Sequence, residues 1–460
     1  MVRSLLKAPT ATRRPYTHQL AGNVVRIAPN EVSFASAEAW KEIYGHATGG
    51  KMTFLKSAFY QTNDYPGVIA VRDPREHARQ RKSLSNAFSA RSLRGQEPIV
   101  RQYVDLFIEQ AGRIGNPTGP GLDVEQAFNW LTFDIIGIWI SFSILRADFS
   151  RLTTTVGDLA FGESFNATAD AQQHPWVSII TDSAFSITML SLQRRLPLVK
   201  LALPFILPKE LPEWAATHRE LTKEKTLKRV KMADEIDRPD FFQQLLSKGG
   251  GGVHLEELFE QSNNLIIAGS ETTATFLITV TYHLIKNKRC LDELTHEIRS
   301  AFQTPQDITA DRCSELKYLN AVIEEGLRIW PPVPFGQPRT SPGAVVDGTY
   351  LPPGTTVAVD MWSVHHNSRY WKDPDSFVPE RWIGEGLGDN KDAFNPFLVG
   401  PRACLGINLA YLEMRIILSL LVFTYDWELV DPDLDFWKEA RTHMFWKKPP
   451  LLVRYYPRKD

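Results

Sequence analysis

A long apolar segment near the middle of the chain, from about Leu255 to Ile285, constrains the fold more than any other feature. Its apolar residues, such as Leu258, Ile266 and Phe276, lie at helical spacing but on nearly every side of the predicted helix. A helix that is hydrophobic all round needs cover on every side. We therefore expect this helix to cross the centre of the protein.

Weaker patterns on both sides of this segment predict further helices and a few strands. No internal repeat or convincing linker is found, which favours one large domain over residues 21–460. We expect this domain to be mainly α-helical with a small β-sheet. A basic segment over residues 1–20 precedes it. A run of four glycines over 249–252 is predicted to be a loop. The other predicted elements are a hairpin over 24–35 with its turn at Pro29-Asn30, helices over 97–114, 124–137, 311–329 and about 404–423, and two strands over 345–360 around the Pro352-Pro353-Gly354 turn.

Composition argues against several classes of function. The net charge is -1, so no basic excess supports a groove for nucleic acid. The three cysteines, Cys290, Cys313 and Cys404, are far apart, which argues against a disulfide framework and against a zinc site. There is no apolar run of about 18 residues, so no membrane-spanning helix is expected.

Cys404 lies in a loop whose other residues suit a haem ligand. Gly400 and Gly406 let the backbone turn tightly and approach a flat macrocycle, and Arg402 can pair with an anionic propionate. Phe397 can pack beside the sulfur and keep water away. The helix predicted to start near Cys404 would favour a thiolate and lower its pKa through its free N–H groups and dipole.

The alternative interpretation is a buried structural cysteine after a glycine turn. A lone cysteine favours that alternative, but five specified residues in ten match by chance in roughly one chain in 10^4. The loop resembles the signature Phe-x-x-Gly-x-Arg-x-Cys-x-Gly of the cytochrome P-450 family and matches it at every fixed position. The resemblance implies that Cys404 is the axial ligand of a haem iron, where a thiolate favours O–O cleavage.

The central helix carries a polar motif, Ala-Gly-Ser-Glu-Thr-Thr, over residues 268–273. Its hydroxyls can simply bond back to carbonyls one turn earlier. The functional interpretation is a local helix distortion that makes room for O2, with Thr272 holding a water and Glu271 relaying protons. The motif is similar to the family's oxygen-activation motif, Ala/Gly-Gly-x-Asp/Glu-Thr, and the similarity implies those roles for Glu271 and Thr272.

Glu325 and Arg328 lie on one face of a predicted helix, three residues apart. A surface ion pair is one interpretation, whereas the apolar flanks Ile323 and Leu327 favour burial. Family members have Glu-x-x-Arg here with a third partner, which the resemblance assigns to Arg381. We expect these three residues to build the haem-side scaffold and not to take part in the chemistry.

The resemblance assigns three further basic residues to haem binding. His77 and Arg81 lie in a segment that is similar to the family's Trp-x-x-x-Arg helix, with His77 in place of tryptophan; a solvated basic helix is the alternative. Arg339 is another candidate partner of a propionate. We do not expect the pair His365-His366 to bind a metal, because adjacent histidines point apart and no third ligand is suitably spaced.

The resemblance covers almost the whole chain and implies a function. It implies a haem-dependent monooxygenase with iron protoporphyrin IX as cofactor. Such an enzyme would use O2 to oxidise a hydrophobic small molecule of fungal secondary metabolism. Its electrons would come from NADPH through a separate flavoprotein reductase. A haem-thiolate rearrangement or peroxide-driven enzyme, or a disrupted non-catalytic isoform, are the alternatives. We expect the substrate pocket to be lined by Leu265, Ile266, Ala268, Val333 and Phe335.

Two departures from the family pattern affect location and folding. Family members are usually held at the cytosolic face of the endoplasmic reticulum, whereas this chain lacks the anchor, so we expect a cytoplasmic or peripheral membrane protein. Residues 138–157 resemble an insertion, because without them Ile135 and Leu159 continue one helical stripe, whereas the segment itself alternates like a strand. A retained intron is our hypothesis, and a genuine family insertion is the alternative.

Overall fold

The computed structural model describes His18 and residues 22–60, 66–139, 166–231 and 254–459. These residues are mainly α-helical with small sheets, as predicted. The helices are α1 (Ala37–Tyr44), α2 (Pro74–Ser85), α3 (Ala90–Ile114), α4 (Val124–Trp139), α5 (Ala167–Asp170), α6 (Pro175–Arg195), α7 (Leu203–Ile206), α8 (Leu211–Lys231), α9 (Leu255–Lys286), α10 (Lys288–Ala301), α11 (Ala310–Ser314), α12 (Lys317–Ile329), α13 (Met361–His365), α14 (Ile407–Thr424) and α15 (Phe436–Glu439). The strands are β1 (Val24–Ala28), β2 (Glu31–Phe34), β3 (Leu55–Lys56), β4 (Leu122–Asp123), β5 (Arg339–Thr340), β6 (Ala344–Val346), β7 (Thr349–Leu351), β8 (Thr356–Val359), β9 (Tyr425–Leu429), β10 (Arg441–Thr442), β11 (Trp446–Lys447) and β12 (Leu452–Pro457).

The long central helix, α9, is continuous and ends one residue beyond its predicted end. It packs against α4, α8, α12 and α14. Phe276, Leu277 and Ile278 are consecutive and at most 1% exposed, so every side of this part of the helix is covered. The prediction that this helix crosses the centre of the protein is confirmed.

The hairpin predicted near the start of the chain is also confirmed, and it forms one edge of a five-stranded sheet. β1 and β2 pair antiparallel, with Val25 opposite Ser33, and the strand order is β1-β2-β8-β5-β3. β2 runs parallel to β8, and β8 pairs with β5, which carries Arg339. The sheet therefore fixes the position of a predicted haem-binding residue relative to the start of the described chain.

Strands lie on both sides of the Pro352-Pro353-Gly354 turn, as predicted for residues 345–360, but the part before the turn forms a hairpin of its own. β6 pairs with β7 around Asp347 and Gly348, whose φ angles are 45° and 71°, whereas β8 belongs to the five-stranded sheet. Both central residues of such a tight hairpin need positive φ, which is why an Asp-Gly pair is a strong hairpin signal. The Pro352-Pro353-Gly354 turn instead connects strands of two different sheets.

The single helix predicted over 311–329 is interrupted at Leu316, whose φ of -76° and ψ of 116° are extended. α11 ends before this residue and α12 begins after it. The carboxylate of Glu297, on α10, accepts the N–H groups of Tyr318 and Leu319 at 2.8 Å and so caps the start of α12. A cap supplied by a different helix leaves no trace in the local sequence pattern.

Two other predicted segments lie largely outside the described residues. These are the glycine run over 249–252 and residues 140–157 of the suspected insertion. α4 continues to Trp139, so the backbone of residues 138 and 139 is helical.

Two helices of the described part of the chain, α9 and α14, are long and apolar enough to cross a membrane. Their most apolar windows are 72% and 67% buried inside the protein, which is typical of core helices.

Candidate functional site

The cysteine loop turns at two residues with positive φ, Leu398 at 59° and Gly400 at 75°. A Cβ at residue 400 would lie 2.1 Å from the backbone oxygen of Tyr44, so both the φ angle and this close approach require glycine. The N–H of Cys404 donates to the Phe397 carbonyl at 2.8 Å and closes the loop. The predicted tight turn is present, and its close neighbour is the end of α1.

Cys404 lies three residues before α14. The residue is exposed, and its thiol lies close enough to the Arg81 guanidinium to interact with it electrostatically. Burial raises the pKa of this thiol, against the opposing effects of the Gly406 N–H and the Arg81 guanidinium. The lower pKa expected from the helix terminus is therefore wrong for the protein alone, because desolvation outweighs both interactions. Coordination of the sulfur to a metal would supply the missing stabilisation, because only the thiolate is a ligand.

Gly406 has an ordinary φ of -86°, so backbone conformation does not require glycine there. A Cβ at this residue would meet no atom within 4 Å. The missing side chain thus leaves open space two residues from Cys404, which suits a flat ligand lying beside the loop.

A basic cluster lies beside the loop, and four of its members line a cavity of about 470 Å³. His77 and Arg81 come from α2, Arg339 from β5 and Arg402 from the loop itself. The fifth member, Lys56, pairs directly with Arg339 in the sheet and interacts electrostatically with Arg402. Sequence reasoning identified the first four residues and missed Lys56.

None of these five side chains forms an ion pair among the described residues. Burial, together with neighbouring cations, lowers the pKa of Lys56 to about 6 and that of Arg402 to about 10. The Nη1 atom of Arg339 is buried without a hydrogen-bond partner. A buried excess of positive charge is costly without an anion. The basic cluster therefore fits the carboxylates of a haem.

Two members of the basic cluster also hold the loop in place. Arg81 donates to the Ala403 carbonyl at 2.6 Å. Arg402 donates to the carbonyls of Val71 and Arg72 at 2.8 and 2.9 Å. These acceptors are neutral, so they orient the two guanidinium groups without neutralising them.

Glu325, Arg328 and Arg381 form one fully buried network. Glu325 lies 2.8 Å from Arg328 and 3.0 Å from Arg381, and Arg381 also binds Asp389 at 2.6 Å. The surface-pair interpretation is excluded by this burial. Arg328 further donates to the carbonyls of His365, Pro374 and Ser376. The network therefore fastens α12 to the segment that leads to the cysteine loop.

His365 and His366 are both buried next to this network. The Nδ1 atom of His365 lies 3.1 Å from the Arg328 carbonyl, and that of His366 lies 3.0 Å from the Trp362 carbonyl. The described ranges contain no group of His, Cys, Asp and Glu that could hold a metal ion.

The polar motif of α9 lies in regular helix. Thr272 donates its hydroxyl to the Ala268 carbonyl at 2.7 Å, one turn earlier. A Cβ at Gly269 would lie 2.5 Å from Ile136 of α4, so the glycine allows the two helices to pack closely. The expected local distortion is therefore wrong for the structure as described, and helix packing explains the glycine.

Glu271 is 3% exposed and binds partners that sequence reasoning did not find. Its Oε1 accepts a hydrogen bond from Thr275 at 3.1 Å and another from the Lys448 ammonium. Lys448 follows β11 and is 177 residues away in the chain. No local pattern links these two positions.

Leu265, Ala268 and Thr272 are among the residues of α9 that remain partly accessible. Their spacing of three and four residues places them on one helix face, which is the expected pocket side. Ile266 is 0% exposed and belongs to the main core, so its assignment to the pocket is corrected. Val333 and Phe335 are also partly accessible.

Comparison with known proteins agrees with this geometry. The family model described as cytochrome P-450 matches residues 16–453. The cytochrome P-450 monooxygenase BOA3 of Botryotinia fuckeliana is 40% identical, over 95% of this chain and 84% of that protein. The trichothecene C-15 hydroxylase of Fusarium sporotrichioides is 35% identical, over 96% of this chain and 87% of that protein.

A solved structure shares the fold. The cytochrome P-450DA haem domain superposes with a TM-score of 0.74 over 98% of this chain and 96% of that chain. At 18% sequence identity, this similarity concerns the fold alone.

Proposed function

The chain belongs to the cytochrome P-450 family, and from this premise we propose which of its residues carry the reaction. It is a haem-dependent monooxygenase similar to fungal enzymes of secondary-metabolite biosynthesis, and it needs O2, a redox partner and a hydrophobic substrate. When bound, the haem iron activates O2 so that one oxygen atom enters the substrate and the other leaves as water. This oxygenation also consumes two electrons and two protons, which the protein has to deliver.

In this proposal the Cys404 thiolate would bind the haem iron. The observation that carries the assignment is the position of an accessible thiol beside an uncompensated basic cluster, whose Arg81 binds the neighbouring Ala403 carbonyl. A haem supplies both missing partners, iron for the thiolate and two propionates for the cations. Gly400 permits the turn, Gly406 leaves space for the macrocycle, and Phe397 accepts the N–H that closes the loop.

His77, Arg81, Arg339 and Arg402 bind the propionates. Arg339 is the strongest of these candidates, because its Nη1 atom lacks any partner. Burial and the nearby cations lower the pKa of His77 to about 3, so this residue binds as a neutral donor unless an anion raises its pKa.

Glu325, Arg328 and Arg381 hold the haem side of the fold and take no part in the chemistry. Arg328 and Arg381 together bind four backbone carbonyls and Asp389 in addition to Glu325, so the network fixes the backbone that precedes the cysteine loop. A rigid support of this kind keeps the ligand within the narrow geometry that a metal site needs.

Glu271 and Thr272, on α9, would deliver the protons that the reaction consumes. Thr272 lies on the accessible face of α9, where its hydroxyl can bind a water. Glu271 is the adjacent titratable group and is shielded from bulk water. General acid catalysis requires a positioned proton donor of this type.

The substrate lies against the accessible face of α9, formed by Leu265 and Ala268, with Val333 and Phe335 opposite. Three of these four residues are apolar and larger than alanine, so the pocket favours a hydrophobic small molecule.

An NADPH-dependent flavoprotein reductase is the proposed electron source, and the cytosolic face of the endoplasmic reticulum is the proposed location. Peripheral membrane contact is supported by Leu198, Leu201 and Phe205, which are 81%, 74% and 91% exposed within one short stretch between α6 and α8. Clustered exposed apolar side chains mark interaction surfaces, and a lipid interface can cover them.

The reduced, CO-bound difference spectrum of the purified protein tests the proposal. We expect the red-shifted Soret band of thiolate ligation in the wild type and its loss in Cys404→Ser. Cys313→Ser is the matched control, because Cys313 is fully buried and bonds to Ser419. A wild-type protein that binds haem without this band would contradict the assignment of Cys404.

The suspected insertion over residues 138–157 remains a hypothesis of a retained intron. Sequencing of mature transcripts across this segment decides it, and a segment present in every transcript refutes it. The same CO spectrum, recorded with and without the segment, then shows which form takes up haem.

A further inference from the structure

Two glutamine side chains meet inside the protein where α2 approaches α9. Gln80 is 3% exposed and Gln261 is 1% exposed. The Nε2 of Gln261 donates to the Oε1 of Gln80 at 2.9 Å. The Nε2 of Gln80 in turn donates to the Pro66 carbonyl at 3.1 Å. The Oε1 of Gln261 accepts the N–H of Val68, also at 3.1 Å. This glutamine pair therefore binds the backbone on both sides of Gly67.

The two ends of this chain of hydrogen bonds fix the orientation of both amides. A backbone N–H can only donate and a backbone carbonyl can only accept. Each glutamine therefore has a single orientation that satisfies both of its neighbours. The second N–H of the Gln80 amide is also used, because it donates to Glu76 at 2.9 Å. Neither leucine nor glutamate could reproduce this arrangement at either position.

The backbone that the glutamine pair holds, residues 66–72, moves as one unit. The N–H groups of Ala70 and Val71 both donate to the Gly67 carbonyl, at 2.8 and 2.9 Å. A Cβ at residue 67 would lie 2.1 Å from the Nδ2 of Asn264, so this 66–72 segment lies directly against α9. A displacement at Gly67 is therefore passed on to Val71 through the hydrogen-bonded turn.

The other end of the 66–72 segment binds two cations of the basic cluster. Arg402 donates to the carbonyls of Val71 and Arg72 at 2.8 and 2.9 Å. Lys56 donates its ammonium to the Ile69 carbonyl. The Nε of Arg72 donates back to the Lys56 carbonyl at 2.9 Å. The position of the 66–72 segment therefore determines where both cations lie.

We propose that Gln80 and Gln261 are positioning residues for haem binding, which hold the 66–72 segment so that Arg402 and Lys56 lie where the propionates bind. The glutamine pair acts through these two cations and not by contact with haem. Groups that orient the residues of a metal site typically change its affinity about 10–100-fold when they are lost. The inference rests on the proposed binding of propionates by the basic cluster.

Hydrogen–deuterium exchange of the haem-bound protein tests the first step. We expect the amides of the 66–72 segment to exchange faster in Gln261→Leu than in wild type. Glu257→Gln is the matched control, because Glu257 joins the same two helices through an ion pair of 2.7 Å with Arg79. Equal exchange of the segment in these two variants overturns the proposal. If Gln261→Leu does not fold, Gln80→Leu/Gln261→Leu takes its place, because two leucines leave neither amide unpaired.

Transfer of haem to an acceptor globin tests the link to the propionates. Iron protoporphyrin IX dimethyl ester serves as the comparison, because it lacks the two carboxylates. We expect Gln261→Leu to speed haem transfer about tenfold relative to Glu257→Gln and to leave transfer of the ester unchanged. A glutamine pair that only stabilises the fold would speed both transfers equally. Equal acceleration of both, or no acceleration with haem, overturns the proposal.

The Arg402→Met background shows whether the glutamine pair acts through this cation. Residues that share one interaction give non-additive effects, so Gln261→Leu should speed haem transfer less in Arg402→Met than in wild type. The same acceleration in both backgrounds overturns the proposal. Failure of the proposed function is distinguishable. Arg402→Met and Lys56→Met would then transfer haem at the wild-type rate, whereas the exchange of the 66–72 segment would be unaffected.

Discussion

Replacing Arg328 by methionine is expected to be among the most destabilising single changes in this protein. The guanidinium is fully buried and binds both oxygens of Glu325 at 2.8 Å, and it donates to three backbone carbonyls. Breaking a buried ion pair by removing one partner costs about 3–5 kcal/mol. Glu325 keeps Arg381 and the Trp382 indole N–H, so we expect the cost to stay within that range.

A loss of about 4 kcal/mol raises the unfolded fraction about a thousandfold and removes much of the roughly 5–15 kcal/mol that stabilises a typical domain. Urea unfolding followed by tryptophan fluorescence measures the loss. Lys41→Met is the control, because Lys41 forms an exposed ion pair with Asp392 and should change little. The Arg328→Lys protein should have an unfolding midpoint between those of the Arg328→Met and Lys41→Met proteins, because one ammonium cannot reproduce the guanidinium fork. Equal unfolding midpoints for the Arg328→Met and Lys41→Met proteins would refute the reasoning.

Four further outcomes are expected. Burial raises the pKa of Glu413 to about 8, so the folded state retains a proton that the unfolded state loses near the ordinary pKa of 4.5. Stability from this group should therefore fall as pH rises from about 4.5 to 8, and urea titrations of Glu413→Gln should lack that decline. Gly400→Ala should lower the unfolding temperature, because its Cβ meets the Tyr44 carbonyl, whereas Gly406→Ala should fold normally but show a lower haem-to-protein ratio. Arg339→Met should make the haem-free protein more resistant to urea yet speed haem transfer to an acceptor globin, because it removes an unneutralised buried cation. Phe205→Ser should weaken co-sedimentation with phospholipid vesicles, because Phe205 is 91% exposed; equal binding by both proteins would argue against that membrane contact.

The sequence was most informative where function and packing depend on residues close together in the chain. The turn at Gly400, the Glu325–Arg328 pair and the central helix each follow from spacings of a few residues, and the structure places them accordingly. The Asp347-Gly348 hairpin also has a local signal, which the neighbouring proline turn obscured. Distinguishing Ala268 from Ile266 on α9 required helical geometry, because the two side chains point in nearly opposite directions.

Other features could not be predicted because they depend on segments that meet only after folding. Glu297 caps α12 from another helix. Lys56 joins the basic cluster through its pairing with Arg339 in the sheet. Lys448 reaches Glu271 across 177 residues. Each of these contacts is set by the tertiary arrangement, so a single sequence read with local periodicities contains no signal for them.

The basic cluster gives the unloaded chain a built-in repulsion. Lys56, His77, Arg81, Arg339 and Arg402 are drawn together by sheet pairing and by backbone acceptors, against the mutual repulsion of those that are charged. A ligand that binds only the folded state stabilises it more as the free ligand concentration rises, and haem would also act as the counter-ion that the fold lacks. The supply of haem during synthesis would thus control how much of the protein accumulates. A molecule that folds without haem retains this repulsion and is degraded by proteases more readily than the haem-bound protein.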